Sequence, residues 1–272
     1  MQRGEPHNSD WRWFEYKKPI PKGVAIWLGV GIWVIFFGVW ELSAPLGWVT
    51  ELLVPSPQAV LRSLFELIIE KGFLGDIAIS IYRILISFSV VCIFAVPLGI
   101  LMGSFASVEA FFNPFVSAWR YLPAPSFIPI LLMWFGTGEA PKLALLFIGV
   151  VWFLATLVMD HTRQIRNELI ETSLTLGGSR LQILASVVIP AVLPNVLTSM
   201  RQMLAVSWTY LVIAEIVAST NGIGAMMMRA KRFLHTDEIM AGIVVIGVLG
   251  LLFDYSFKLL NKALFPYLED HR

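Results

Sequence analysis

The chain is 272 residues long, 57% of them hydrophobic and 14% charged, too apolar a mixture to give a soluble domain a polar surface and suited instead to a lipid bilayer. Its 20 basic residues nearly cancel 19 acidic ones, which excludes the clustered positive field that nucleic-acid binding requires. The single cysteine, Cys92, lies in an apolar run, so no intrachain disulfide can form and the thiol reads as a small core side chain.

Residues 1–22 mix Trp11, Trp13, Phe14 and Tyr16 with basic residues, the composition of a segment that lies against anionic lipid headgroups and anchors the chain there. Crossing the hydrocarbon takes about 20 mostly apolar residues in one helix, because every backbone amide must be satisfied within the segment. Six stretches within a membrane domain of residues 23–264 meet or nearly meet that demand: 23–43, 80–104, 113–137, 141–159, 192–216 and 239–260. The first has no small-residue cleavage pattern after it, so it reads as a retained span and not as a signal peptide. Between the first two, Pro55 and Pro57 stand ahead of Val60, Leu61, Leu64, Leu67 and Ile68, the pattern of a short amphipathic helix opened by proline.

The second stretch is free of charge from Ile84 onward and carries Gly99 and Gly103 one helical turn apart. Such a step permits close helix contact, within one chain or between two copies. In the third, Pro123, Pro125 and Pro129 each remove an amide donor, and broken helices occur in membranes where they line a cavity; a kinked packing helix is the other reading. Glu139 and Lys142 are what a tight turn into the fourth stretch would leave at the surface. The fifth holds Arg201 and Glu215, and the sixth is apolar as far as Asp254. Arg201 either faces a cavity or pairs with an acid at the inner surface. Residues 265–272 form a short tail.

Lysine and arginine favour short cytoplasmic loops. With the amino terminus inside, Arg3, Arg12, Lys17, Lys18, Lys22, Arg163, Arg166 and Arg180 all fall on the inner side, and both termini are cytoplasmic. Arg229, Lys231 and Arg232 then fall in the last outer loop, as the polar heads of an amphipathic helix at the membrane surface or as part of an entry route for an anion.

The polar stretch 160–190, between the fourth and fifth spans, can be read locally. Asn167 is a suitable N-cap, Glu168 and Glu171 sit where the helix dipole favours acids, and Gly177-Gly178 stops the helix. Ser179 and Gln182 form a capping box that starts a second helix running to about Pro190. The corner resembles a DNA-binding helix-turn-helix in outline, but Asp160, Glu168 and Glu171 cancel Arg163, Arg166 and Arg180 and leave no basic face. No catalytic or metal-binding constellation emerges from His7, His161, His235 and His271.

Glu171-Thr172-Ser173, then Gly177, then Val187-Val188-Ile189-Pro190 resembles the signature of the membrane subunits of binding-protein-dependent ABC importers: Glu-Ala-Ala, three residues, Gly, nine residues, Ile-x-Leu-Pro. Thr172 and Ser173 replace the alanines, and Val187 and Ile189 replace Ile and Leu. The run from Arg120 to Pro129, the run Trp134 to Glu139, and Ala214-Glu215 with Gly222-Ile223-Gly224 are similar to the nitrate, sulfonate and taurine branch. The resemblance implies an all-α membrane protein of about six spans with the type I importer (MetI-like) permease fold in a bacterial inner membrane. It also implies a coupling helix from Asn167 to Leu176. Glu171, Thr172, Ser173, Leu174, Leu176, Gly177, Arg180 and Pro190 would form the docking region for an ATPase.

The implied partners are two ABC ATPase subunits, which hold ATP and Mg, a second permease subunit as a homodimer, and a periplasmic or lipid-anchored solute-binding protein. This chain has no Gly-x-x-x-x-Gly-Lys-Ser/Thr phosphate loop of its own and is expected to bind no cofactor. A small anionic solute such as nitrate, taurine or an alkanesulfonate needs donors and amphipathic aromatics near the midplane. Pro123, Pro125, Ser126, Phe127 and Pro129, with Trp208, Thr209 and Tyr210, are the candidates, although core packing or an interfacial belt accounts equally for the aromatics. The competing readings are an ion-driven secondary transporter and an integral-membrane enzyme using Glu215 or Asp254 as a buried acid.

Overall fold

The computed structural model describes residues 20–266, and among them the regular structure is entirely helical. The aromatic anchor at Trp11–Tyr16 and most of the tail lie outside the described residues. The chain divides into one unit over residues 1–59 and a second over 60–272. In the first, α1 (Lys22–Ser43) is apolar on all sides, with Trp33, Phe36, Phe37 and Trp40 in successive ring contacts. The Trp40 indole donates to the Pro55 carbonyl at 2.9 Å. Helix α2 (Pro57–Ile69) begins at proline as the sequence predicts.

The second unit is built on two parallel helices, α3 (Phe73–Ser104) and α6 (Ala140–Arg163). Ser87 Oγ, near the middle of α3, donates to the Leu143 carbonyl in the first turn of α6 at 3.1 Å. Toward their ends, a Cβ on Gly99 would stand 2.5 Å from the Ala155 carbonyl and one on Gly103 2.5 Å from Thr162 Cβ. The glycine step therefore serves contact within the chain. Between two lipid-soluble helices there is little hydrophobic drive, so close approach and dispersion must supply the attraction. Helix α9 (Ile189–Ala218) runs back along α6, and its Tyr210 ring lies over Gly149, where a Cβ would come within 2.7 Å. Ile84, Val91, Val150, Leu154, Ala155, Val158, Val192 and Leu211 form the centre of this packing, each at most 2% exposed.

Three expected elements differ. Helix α3 begins at Phe73, ahead of the predicted 80, because its early charges Asp76 and Arg83 find partners within the protein. The predicted third span, 113–137, is cut into α4 (Ala106–Arg120), a 3-10 turn (Ala124–Phe127) and α5 (Ile128–Phe135). Pro123 and Pro125 lack amide donors, and each disfavours helical backbone at the residue before it. Among the described residues five helices, not six, are long and apolar enough to cross a membrane by themselves. The helix predicted to end near Pro190 continues instead. From α8 (Arg180–Ile183) it passes through one π turn (Leu184–Val188), where the Ile189 amide reaches back to Leu184, and on into α9. The π turn absorbs the donor that Pro190 cannot supply.

After α9 the chain forms α10 (Ile223–Arg232) and returns as α11 (Thr236–Leu264). Arg201 of α9 pairs with Asp254 of α11 at 2.9 Å, and Lys258 reaches the same carboxylate at 2.6 Å.

Candidate functional site

At one end of the bundle, α6 gives way to α7 (Asn167–Thr175), which meets α8 at a glycine corner. Arg166, in extended backbone, occupies the N-cap position, so the expected cap Asn167 is instead the first helical residue. Within α7 the Ser173 hydroxyl donates to the Leu169 carbonyl at 2.7 Å and Thr175 to that of Glu171 at 2.9 Å. These side chains are thus satisfied along their own helix. The stop is made by Gly177, at φ +83°, with the Gly178 amide donating to the Ser173 carbonyl at 3.0 Å. The capping box is formed in both directions: the Ser179 amide donates to Gln182 Oε1 at 2.9 Å and the Gln182 amide to Ser179 Oγ at 3.4 Å.

No residue of α7 is buried. Glu171 and Thr172 are exposed beside Leu174, while Leu176 and Leu181 are 84% and 76% exposed. These leucines form an exposed apolar patch on an otherwise polar corner. Behind it lies a cavity of about 460 Å³ lined by Gly103, Thr162, Asn167, Arg180 and Ile183 among others. Arg163 at its edge is tied to Glu109 of α4. Pro190 is set apart from the corner, beyond the π turn.

The path candidates separate into two groups. Pro123, Pro125, Ser126, Phe127 and Pro129 all lie in or beside the break between α4 and α5, with Phe127 stacked on Trp119 at 5.5 Å. Trp208, Thr209 and Tyr210 are consecutive on α9 and so point in three directions. Trp208 is buried against Phe253, Thr209 is exposed, and Tyr210 covers Gly149. Only Trp208 and Thr209 share a space, a groove of about 390 Å³ completed by Val212, Ile246 and Gly250.

A second polar site, at the opposite end of α6, joins residues that the sequence leaves unconnected. Arg83 of α3 and Glu215 of α9 are wholly buried and 2.7 Å apart. Arg83 also makes a fork onto both oxygens of Glu139, at 2.6 and 2.7 Å, and Lys142 reaches Glu139 at 2.9 Å. The Arg83 guanidinium, and secondarily Lys142, hold the Glu139 carboxyl down at about 2. The signal available in the sequence was the pair of opposite charges inside two apolar helices, since an ionisable residue in a span needs a partner. Of the basic cluster at the end of α10, Arg229 is taken up by Asp76 and the Thr220 carbonyl, both at 2.6 Å, while Lys231 and Arg232 are exposed.

Residues 95–269 match the family of binding-protein-dependent transport system inner membrane components. The taurine transport system permease protein TauC of Escherichia coli is 32% identical over 262 residues, covering 94% of this chain and 93% of that protein. The putative aliphatic sulfonates transport permease protein SsuC of Bacillus subtilis is 30% identical, covering 92% and 91%. An inward-facing structure of the MetNI methionine ABC transporter superposes with a TM-score of 0.60 at 19% identity, over 76% of this chain and 96% of that one. The chain belongs to this family of transport permeases, and its fold is that of the type I importer membrane subunit.

Proposed function

We propose that this permease carries a small anionic solute of the sulfonate or nitrate kind inward across the bacterial inner membrane, powered by ATP hydrolysis in a separate subunit. Two ATPase subunits bind ATP and Mg, and each docks on the α7–α8 corner of one of two permease copies. A solute-binding protein delivers cargo at the opposite end, and both termini face the cytoplasm. The observation that carries this reading is the corner itself. Its glycine-stopped helix exposes Glu171, Leu174 and Leu176 together, and it leads through α8 and the π turn into the longest helical run among the described residues. ATP-driven closure of the ATPases pushes the two corners together, and the continuous helix transmits that push into the membrane as a rigid-body movement.

The solute class rests on the sulfonate common to the solutes in the relatives' names and on the resemblance to the nitrate, sulfonate and taurine branch. Glu171→Lys reverses the charge on the exposed corner without touching a buried residue. Membrane insertion should be normal, while solute-stimulated ATP hydrolysis in the reconstituted complex should be lost. Full coupling in that variant overturns the docking assignment.

A further inference from the structure

We infer that Arg83 and Glu139 are positioning residues for the transport cycle: their fork latches the turn between the broken span and α6 onto a sealed α3–α9–α10 body, and releases it when the permease changes state. The inference rests on the reading of the chain as an ATP-coupled importer.

The sealed body is defined by its hydrogen bonds. Arg83 spends its guanidinium on Glu139 and Glu215, on the Asn221 carbonyl at 2.9 Å and on the Asn221 side chain at 2.6 Å. Every donor of the group is engaged, so Arg83 has none to offer a passing anion. Glu215 Oε1 accepts from Ser80 Oγ at 2.7 Å as well as from Arg83, and Oε2 accepts from the Gly224 amide at 2.9 Å. The Ile223 amide closes onto Ser80 at 3.0 Å and that of Gly222 onto Asp76 at 2.6 Å. Gly222 has φ +106°, and a Cβ there would lie 2.7 Å from Arg83 Nη1. Only glycine lets this loop seat on the ion pair.

The two carboxylates that share Arg83 differ in their access to water. Glu215 is wholly buried, and leaving it without its cation is prohibitive. Glu139 is 48% exposed, keeps Lys142 as a partner, and can exchange the arginine for solvent. The Arg83–Glu139 fork is therefore the joint that can open. It also lies in the turn after α5, where Gly136 has φ +72° and ψ −161°, backbone open essentially to glycine alone. The joint stands a helix length of about 36 Å from the α7–α8 corner, at the far end of α6.

Arg83→Gln strands Glu215 and is expected to lower the yield of folded protein, so Glu139→Gln is the informative variant. In the reconstituted complex it should raise ATP hydrolysis without solute about fivefold, matching loss of a charge pair whose carboxylate is half-exposed, and lower solute moved per ATP in proportion. A purely structural role would change yield or melting temperature and leave that ratio alone. In a Cys92→Ala background, spin labels at the exposed Thr137 and Thr220 should report a change of separation when a non-hydrolysable ATP analogue binds. The Glu139→Gln variant should show both separations without nucleotide. A separation that nucleotide does not change in the Cys92→Ala parent, or a wild-type ratio in Glu139→Gln, overturns the latch. Failure of the importer reading itself would appear instead as absence of solute-stimulated hydrolysis in the unmodified complex.

Discussion

Gly99→Ala measures how closely α3 and α6 are packed. The new Cβ would stand 2.5 Å from the Ala155 carbonyl oxygen and 2.7 Å from Val158 Cβ, whereas carbon contacts settle at about 3.5–4.0 Å. Neither neighbour is the flexible end of a side chain: one is backbone and the other a branched Cβ within α6. The helices must therefore part by about 1 Å along their longest shared interface, an overpacking cost of about 1–3 kcal/mol. Alanine also gains about 1 kcal/mol of helix propensity over glycine, so the comparison must be with a glycine that has room. Gly247 of α11 has nothing within 4 Å of its would-be Cβ, and Gly247→Ala gains the propensity alone. In thermal unfolding of the purified full-length protein in micelles, followed by tryptophan fluorescence, Gly99→Ala should melt roughly 2–12 °C below Gly247→Ala. Equal melting temperatures refute the close packing. A difference that appears only at concentrations where copies associate would move the contact from within the chain to between chains.

Because the Glu139 carboxyl is held at about 2 against an ordinary 4.5, its contribution to stability is fully present above about 4.5 and is lost as the pH falls toward 2. The acid decline in melting temperature across that window should be shallower in Glu139→Gln, and parallel curves would contradict the pairing with Arg83. Ser179→Ala removes one half of the capping box and should cost about 1 kcal/mol locally, seen as faster amide exchange at Gln182 with α9 unaffected; unchanged exchange would mean that the box does not hold the corner. Gly177→Val forces a branched residue into left-handed backbone at about 1–2 kcal/mol. It should reduce solute-stimulated ATP hydrolysis while leaving insertion intact, and normal coupling would show that the corner's angle is not used.

The corner was legible because everything that makes it is local. A cap and its acceptor are three residues apart, a helix stop needs one glycine, and both act before any tertiary contact forms. Even so, the N-cap moved from Asn167 to Arg166, as helix ends commonly shift by a residue. The break near Pro123 and Pro125 was equally local, but its consequence was not. Counting apolar residues gave a third span, and only the backbone shows it divided into short pieces. Pro190 misled in the other direction, since a proline that ends an isolated helix is absorbed here by a π turn backed by the packed helix beyond it. Trp208, Thr209 and Tyr210 read as one group in sequence and separate on the helix, because consecutive residues diverge by about 100°.

What the sequence determined alone was the solvent in which the protein lives, the number of spanning stretches to within one, and the polar corner with its capping box. Each follows from composition or from interactions a few residues long. The tertiary structure decided which charges could be buried. Arg83 and Glu215 lie 132 residues apart and are each unfavourable in hydrocarbon alone. They become tolerable only when α3, α6, α9 and the Asn221–Gly224 loop arrive together to satisfy every donor. Hydrophobicity can place a helix in a membrane, but it cannot say which ion will be waiting for it there.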